Sequence, residues 1–293
     1  MSLRAAPDER SVEALLGFGV VNLDKPGGPT AHQVSAWVRE LAGVERAAHA
    51  GTLDPKVTGC LPVLTGDATR LAEALIGPKE YVAVLELHAD PPADLEAVLA
   101  EFEGPILQKP PRKSAVSRRL RTRAVHAIEL LEVEGRQVLL RIACEAGTYV
   151  RKLCHDLGLA LGTGAHMGDL RRTAAQPFDD RDLATLHDLA DAMAEWRDRG
   201  DEGPIRAVVA PGERALEHLP TVTMAPSAAE QVAEGAPVYA PGVIGVAGAE
   251  PDAGDPALVV GATPDGAAVC LGRLVGDPDA ESGTVVELER VLV

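Results

Sequence analysis

The sequence predicts an α+β fold closed by a small C-terminal β-barrel. Three observations carry this expectation. Apolar runs of strand length come in pairs around turn residues, as at 124–133 and 138–145 with Gly135 between them. Helical spacing is scattered among those pairs and does not alternate regularly with single strands, which argues against a doubly wound sheet. After Pro220 the helical patterns shrink, and short apolar runs at 237–244, 257–261, 267–274 and 284–291 alternate with glycine and proline, the pattern of a small barrel.

Each element can be justified in chain order. Residues 18–23 read as a strand ending in the turn cluster Asp24-Lys-Pro-Gly-Gly-Pro29. Thr30 can cap the next helix, with Val34, Trp37, Val38 and Leu41 as its apolar face. Residues 67–76 have the spacing of a short amphipathic helix, 81–88 of a strand and 94–102 of a helix. Pro105, Pro110 and Pro111 predict a loop through the first half of 104–128. Residues 149–161 have helical spacing, 170–178 extended character, and 182–196 read as an acidic surface helix. A boundary falls at 217–220, giving domains 1–217 and 218–293.

Composition limits the function classes. Hydrophobic residues make up 46% of 293, ample for a globular core. No run of about 18 apolar residues suggests a membrane span, and the charged residues 1–10 do not resemble a secretory signal. Cys60, Cys144, Cys154 and Cys270 are scattered and form no Cys-x-x-Cys pair, so neither zinc nor a disulfide framework is indicated. Free thiols in a reducing cytoplasm fit better. Forty-four acids face 28 bases, a net charge of −16. Such a surface speaks to solubility, as in a salty cytoplasm, and not to fold. One window escapes it. From 104 to 128 there is no acid, and Lys109, Arg112, Lys113, Arg118, Arg119, Arg121 and Arg123 fall within it. A charge run is usually a solvated face, but in so acidic a chain this one is expected to contact nucleic acid, which the resemblance given below implies is RNA.

The most informative stretch is His49-Ala-Gly-Thr-Leu-Asp-Pro-Lys-Val-Thr-Gly-Cys60. Pro55 fixes its own φ and drives Asp54 toward an extended conformation, and Gly51 and Gly59 allow close turns. The result is a stiff loop presenting one carboxylate. A lone Leu-Asp-Pro is commonly an ordinary turn. The whole string, however, resembles the catalytic loop of the TruB/dyskerin family of RNA pseudouridine synthases, and its Lys-Val-Thr-Gly-Cys continuation resembles the archaeal and eukaryotic dyskerin branch. Gly19-Val-Val-Asn-Leu-Asp-Lys-Pro26, Lys79-Glu-Tyr81, Gly147-Thr-Tyr-Val-Arg-Lys-Leu-Cys154 and His166-Met-Gly-Asp-Leu-Arg-Arg172 resemble further motifs in the family's order. The likeness covers most of 12–293.

The resemblance implies a mixed, mainly antiparallel catalytic sheet and a terminal PUA barrel, with the N-terminal tail packed on that barrel. It implies isomerisation of uridine in RNA. The glycosidic C–N bond breaks, the uracil turns, and a carbon bond forms, with no redox step and no cofactor. Asp54 is implied as the essential carboxylate, with two roles open: attack on the sugar carbon or removal of a ribose proton. Arg151 would pair with it and aim it. On a helix, Tyr149 would point away from Arg151 and pack structurally. Tyr81 would stack on a base taken out of its helix, Leu170 would form the opposite wall, and Lys25 would support the site. His49 is either structural or in contact with RNA near that base. Ala31 and Ala50 stand where relatives often carry a hydroxyl. The implied partners are tRNA, rRNA, H/ACA guide RNA and accessory ribonucleoprotein proteins. Residues 219–293 hold eleven acids against Arg273 and Arg290, so this domain would read RNA by shape and backbone contacts, not bulk attraction. A stand-alone enzyme acting on the tRNA T-loop, and a noncatalytic RNA-binding scaffold of the same fold, are the competing readings; intact Asp54, Tyr81 and Arg151 argue against the scaffold. An unrelated hydrolase lacks a second carboxylate motif.

Overall fold

A computed structural model describes residues 3–110, 119–248 and 256–293. The larger of two sheets contains β1 (Phe18–Lys25), β2 (Ala47–His49), β3 (Thr58–Gly66), β4 (Lys79–Leu87), β5 (Gly104–Gln108), β6 (Arg121–Glu134), β7 (Gln137–Cys144), β8 (Ala165–Ala175), β9 (Phe178–Asp179) and β10 (Ala210–Pro211). Its order is β10-β1-β3-β8-β4-β7-β6-β5, with β2 on β3 and β9 on β8. All these strands pair antiparallel except β3 and β8, which run parallel through Thr58 with Arg171 and Gly59 with Arg172. That short seam joins the two halves of the sheet. β4 alternates strictly between buried and half-buried positions, as a strand covered on one face must, and this puts Lys79 on the same buried face as Tyr81, Ala83 and Leu85.

Helices cover that face. α1 (Val12–Gly17) precedes β1, and α2 (Ala31–Ala42) follows the turn cluster. The Thr30 hydroxyl accepts from the Gln33 amide, capping α2 as the sequence predicts. α3 (Leu95–Ala100), α4 (Val150–Ala160), α5 (Leu186–Arg199) and α6 (Gly203–Val208) complete the layer. α5 opens on a capping box between Thr185 and Asp188, so it begins four residues later than the expected 182.

The second sheet contains β11 (Thr221–Met224), β12 (Val238–Tyr239), β13 (Val243–Ala247), β14 (Leu258–Ala262), β15 (Ala268–Leu274) and β16 (Thr284–Val291), in the order β12-β16-β15-β14-β11-β13. With α7 (Pro226–Ala233) it surrounds a core of Val222, Met224, Val232, Val259 and Val285. An apolar seam including Phe18, Leu64, Leu71, Leu216, Leu271 and Leu292 binds the two sheets. The N-terminal tail reinforces it. Leu3 packs on the second core, and Arg10 donates to both carboxylate oxygens of Glu213, one of which also accepts the Ala268 amide of β15.

Several local expectations are corrected. Residues 67–76 do not form an α-helix. Asp67–Leu71 is a 3-10 helix continued by turns, with bonds from Ala74 to Leu71 and Ile76 to Glu73. Buried Ala68, Leu71 and Ala74 recur every third residue, the period of a 3-10 helix. The stretch 104–108 is a strand despite Pro105, because β5 lies at the sheet edge, where a missing amide is tolerated. Trp37 is not part of the α2 core face, which is Ala31, Val34, Ser35, Val38 and Ala42. β3 was hidden by Pro62, whose carbonyl accepts the Ala50 amide just beyond the end of β2. Tyr149 precedes α4 as its extended N-cap residue, with φ −94° and ψ 94°, so the helical-wheel argument about its direction does not apply.

Candidate active site

The loop before β3 lies at the seam between the sheet halves. Asp54 through Val57 form a turn closed by the Val57 amide on the Asp54 carbonyl at 3.0 Å, with Pro55 at the position that favours its fixed φ. The Pro55 carbonyl accepts the Gly28 amide at 2.8 Å, tying the loop to the turn after β1. At Gly59 the glycine is obligatory. Its φ is +97°, and a Cβ there would stand 2.2 Å from the Arg172 carbonyl. Gly51, with φ +81°, lets the Arg172 guanidinium approach on the other side.

The loop rests on buried cations. Lys25 is 0% exposed and donates from Nζ to the carbonyls of Pro26, Pro55 and Val57 at 2.8, 3.1 and 2.9 Å. Burial lowers its pKa, and Asp54 acts in the opposite direction. Arg172 is 1% exposed and donates to the carbonyls of Cys60 at 2.7 Å and Gly51 at 3.2 Å. Lys79 donates to the Leu75 carbonyl at 3.1 Å. Burial, with Arg172 next, pulls its pKa down to about 8. The sequence motifs contain Arg172 and Lys79 but assign them no role. The available signal for Lys79 was its parity with the buried residues of β4.

Above this base, the side chains of Asp54 and Arg151 meet solvent. Arg151, in the first turn of α4, hydrogen-bonds and ion-pairs with the Asp54 carboxylate across 97 residues of sequence. Gln108, at the end of β5, fixes the start of α4. Its side chain accepts the Tyr149 amide at 2.9 Å and donates to the Tyr149 carbonyl at 3.2 Å. Sequence reasoning missed this glutamine, since a single buried amide has no periodic signature. Tyr81 is 9% exposed. Burial raises its phenol pKa, while the nearby Arg172 guanidinium acts the other way. Leu170 faces Ala83 across β8 and β4, diagonal to the Tyr81–Arg172 pair, and packs against the core that includes Tyr81. His49 ends β2, edge-on to His32 with ring centroids 6.3 Å apart. Burial, His32 and Arg172 all hold its pKa below the usual value.

The basic segment is placed in part. Arg112, Lys113 and Arg118 lie outside the described residues. Lys109 and Arg119 are exposed, and Arg121 opens β6. Arg123 pairs with Glu145 at 3.0 Å and lies against Gly147, behind the loop leading to Arg151. Its charge therefore serves the protein's own turn. Among the described residues no group of three or more His, Cys, Asp or Glu is arranged to hold a metal, and no helix is long and apolar enough to cross a membrane.

Comparison with known proteins agrees with this architecture. The TruB family pseudouridylate synthase N-terminal domain matches residues 39–94 and 91–150, the tRNA pseudouridylate synthase B C-terminal domain matches 151–217, and the DKCLD domain matches 4–35. The chain is 66% identical to a probable tRNA pseudouridine synthase B of Halobacterium salinarum over the full length of both. It is 63% identical to the corresponding protein of Haloarcula marismortui, over 100% of this chain and 94% of that one. Among solved structures it resembles a chain of a Cbf5-Nop10-Gar1 complex, with TM-score 0.91 and 46% identity over 100% of this chain and 90% of that one. It also resembles a chain of an H/ACA ribonucleoprotein bound to a substrate RNA containing 2′-deoxyuridine, with TM-score 0.90 and 44% identity over 99% of this chain and 90% of that one. The α+β catalytic sheet with its PUA-like C-terminal domain is thus the archaeal dyskerin-like arrangement, and the chain belongs to the TruB family of RNA pseudouridine synthases.

Proposed function

We propose that Asp54 is the catalytic carboxylate of a uridine-to-pseudouridine isomerisation directed mainly by H/ACA guide RNA. The observation that carries this reading is the Asp54–Arg151 ion pair, held on a stiff turn beside buried Tyr81. A flipped uridine would stack on the Tyr81 ring and meet Leu170 on its other side. Its ribose would then lie against the Asp54 carboxylate, which Arg151 orients through a charged hydrogen bond. Lys25 holds the turn and takes no part in bond making. His49, held neutral by its surroundings, lines the approach to the base. Base extrusion costs a few kcal/mol, recovered partly by stacking.

Support for the guide-directed setting comes from the likeness to chains in complexes with Nop10, Gar1 and substrate RNA. In this reading the chain works in the cytoplasm with accessory proteins of that kind, divides after Glu217, and uses residues 218–293 to dock on guide RNA. Lys109, Arg112, Lys113, Arg118, Arg119 and Arg121 form a close-range RNA clamp, with Arg123 bracing its base. The relatives' tRNA names favour a second, coexisting activity on tRNA.

The test uses RNAs carrying uridine tritiated at carbon 5, whose label is released on isomerisation. The full chain, reconstituted with guide RNA and accessory proteins in molar KCl, is expected to release tritium from the guide-paired uridine. A tRNA substrate without guide tests the second activity. Release from tRNA alone, with none from guide-paired substrate, would reject the guide-directed reading. Replacing Arg118, Arg119 and Arg121 with alanine is expected to weaken RNA binding; unchanged binding at every salt concentration rejects the clamp.

A further inference from the structure

Arg172 sits where three parts of the site converge. Its main chain pairs with Gly59 of β3 on one side and Tyr81 of β4 on the other. Its side chain donates to the carbonyls of Cys60 and Gly51, one near each end of the stretch that carries Asp54. The same guanidinium lies near the Tyr81 phenol, whose pKa it lowers against the larger, opposite effect of burial. Among the described residues no carboxylate pairs with it. A buried cation without a counter-charge is costly unless other acceptors surround it, and here those acceptors are the ends of the loop itself.

We propose that Arg172 is a positioning residue for the isomerisation, setting the separation between the Asp54 carboxylate and the Tyr81 ring. The inference rests on the roles of Asp54 and Tyr81 given above. The base would be located by the ring and its sugar carbon by the carboxylate. The two must therefore be held at one spacing, although they come from different strands of the sheet. A planar fork bonded to both loop ends, on a residue whose main chain pairs with Tyr81, does this from one position in the sheet. A lysine keeps the charge but has no fork. A misplacement of about 1 Å can cost roughly 10²-fold in rate.

The test is Arg172→Lys in the full chain at molar KCl, with Arg172→Gln as the alternative if the lysine variant does not fold. The expected result is near-native RNA affinity and KM, with a single-turnover rate lowered by roughly 10²-fold. Leu189→Ala, on the buried face of α5 and distant in sequence from the loop, supplies a control at comparable loss of Tm. An unchanged rate, or a rate loss equal to that of Leu189→Ala at matched Tm, overturns the proposal. Asp54→Asn separates this inference from the reading beneath it. Wild-type turnover by Asp54→Asn removes the site assignment itself, whereas an inactive Asp54→Asn beside an unimpaired Arg172→Lys removes only the positioning role.

Discussion

At the tip of the 49–60 loop, the side chains of Asp54 and Arg151 are 53% and 58% exposed. At its base, Lys25 and Arg172 are closed from solvent and donate to backbone carbonyls. Opposite charges meet at the tip, where RNA can reach them. Cations meet dipoles at the base, where a carboxylate partner would neutralise the grip. The difference teaches how an acidic protein can present one exposed carboxylate rigidly. Solvent access and stiffness are assigned to different residues, and the positive charge withdrawn from an acidic surface is used inside.

Substitutions at the tip should affect rate alone, whereas those at the base should lower stability and, at Arg172, rate as well. Among variants that keep the Asp54 carboxylate, the largest effect is expected from Arg151→Lys, which keeps the charge but loses the planar fork. It should fold normally and be slowed by roughly 10²-fold in single-turnover assays; an unchanged rate would show that the ion pair does not aim Asp54. Lys25→Met comes next. It removes the charged donor shared by three carbonyls and is expected to lower unfolding free energy by about 2–4 kcal/mol. Denaturant titration measures this, and native stability would place the loop's support elsewhere.

Salt acts on both regions at once. At about 1 M salt the Debye length is roughly 3 Å, so repulsion among surface acids fades while the buried base is little changed. Stability and activity are expected to rise from low to molar KCl, followed by circular dichroism and tritium release. Phosphate contacts weaken over the same range, so an optimum at low salt would mean that long-range attraction outweighs screening of the acids.

The smallest effect concerns Lys79, whose pKa falls from the ordinary 10.5 to about 8 in the folded protein. Below pH 8 both folded and unfolded states hold the proton, and its burial costs stability. Between about 8 and 10.5 the unfolded state binds more protons, so stability should rise with pH by at most about 1.4 kcal/mol per unit from this group. Lys79→Met should remove that rise. Identical pH slopes in the two proteins would show that Lys79 does not titrate in this window.

Much of the fold was legible because it rests on local chemistry. Thr30 caps α2, Gly135 turns β6 into β7, and glycine and proline punctuate the second sheet. The loop of Asp54 was legible because proline and glycine restrict the chain whatever surrounds it. Long-range placement was not. Pro62 concealed β3 because its acceptor role depends on Ala50 reaching it from another strand. Pro105 concealed β5 because only the completed sheet shows that it lies at an edge. Gln108 and Arg172 are isolated polar residues whose partners come from distant segments, and no spacing rule joins Gly51, Cys60, Tyr81 and Arg172.

The central claim is that the exposed tip carries the chemistry and the buried base only holds it. Asp54→Asn tests this most directly, because it keeps the side chain's shape and leaves the bonds of Lys25 and Arg172 in place. Single-turnover tritium release and denaturant unfolding should be measured on the same preparation in molar KCl. The account expects release to fall below detection while unfolding free energy and RNA affinity stay near native. Release at the native rate, or loss of activity that merely follows loss of folding, would contradict it.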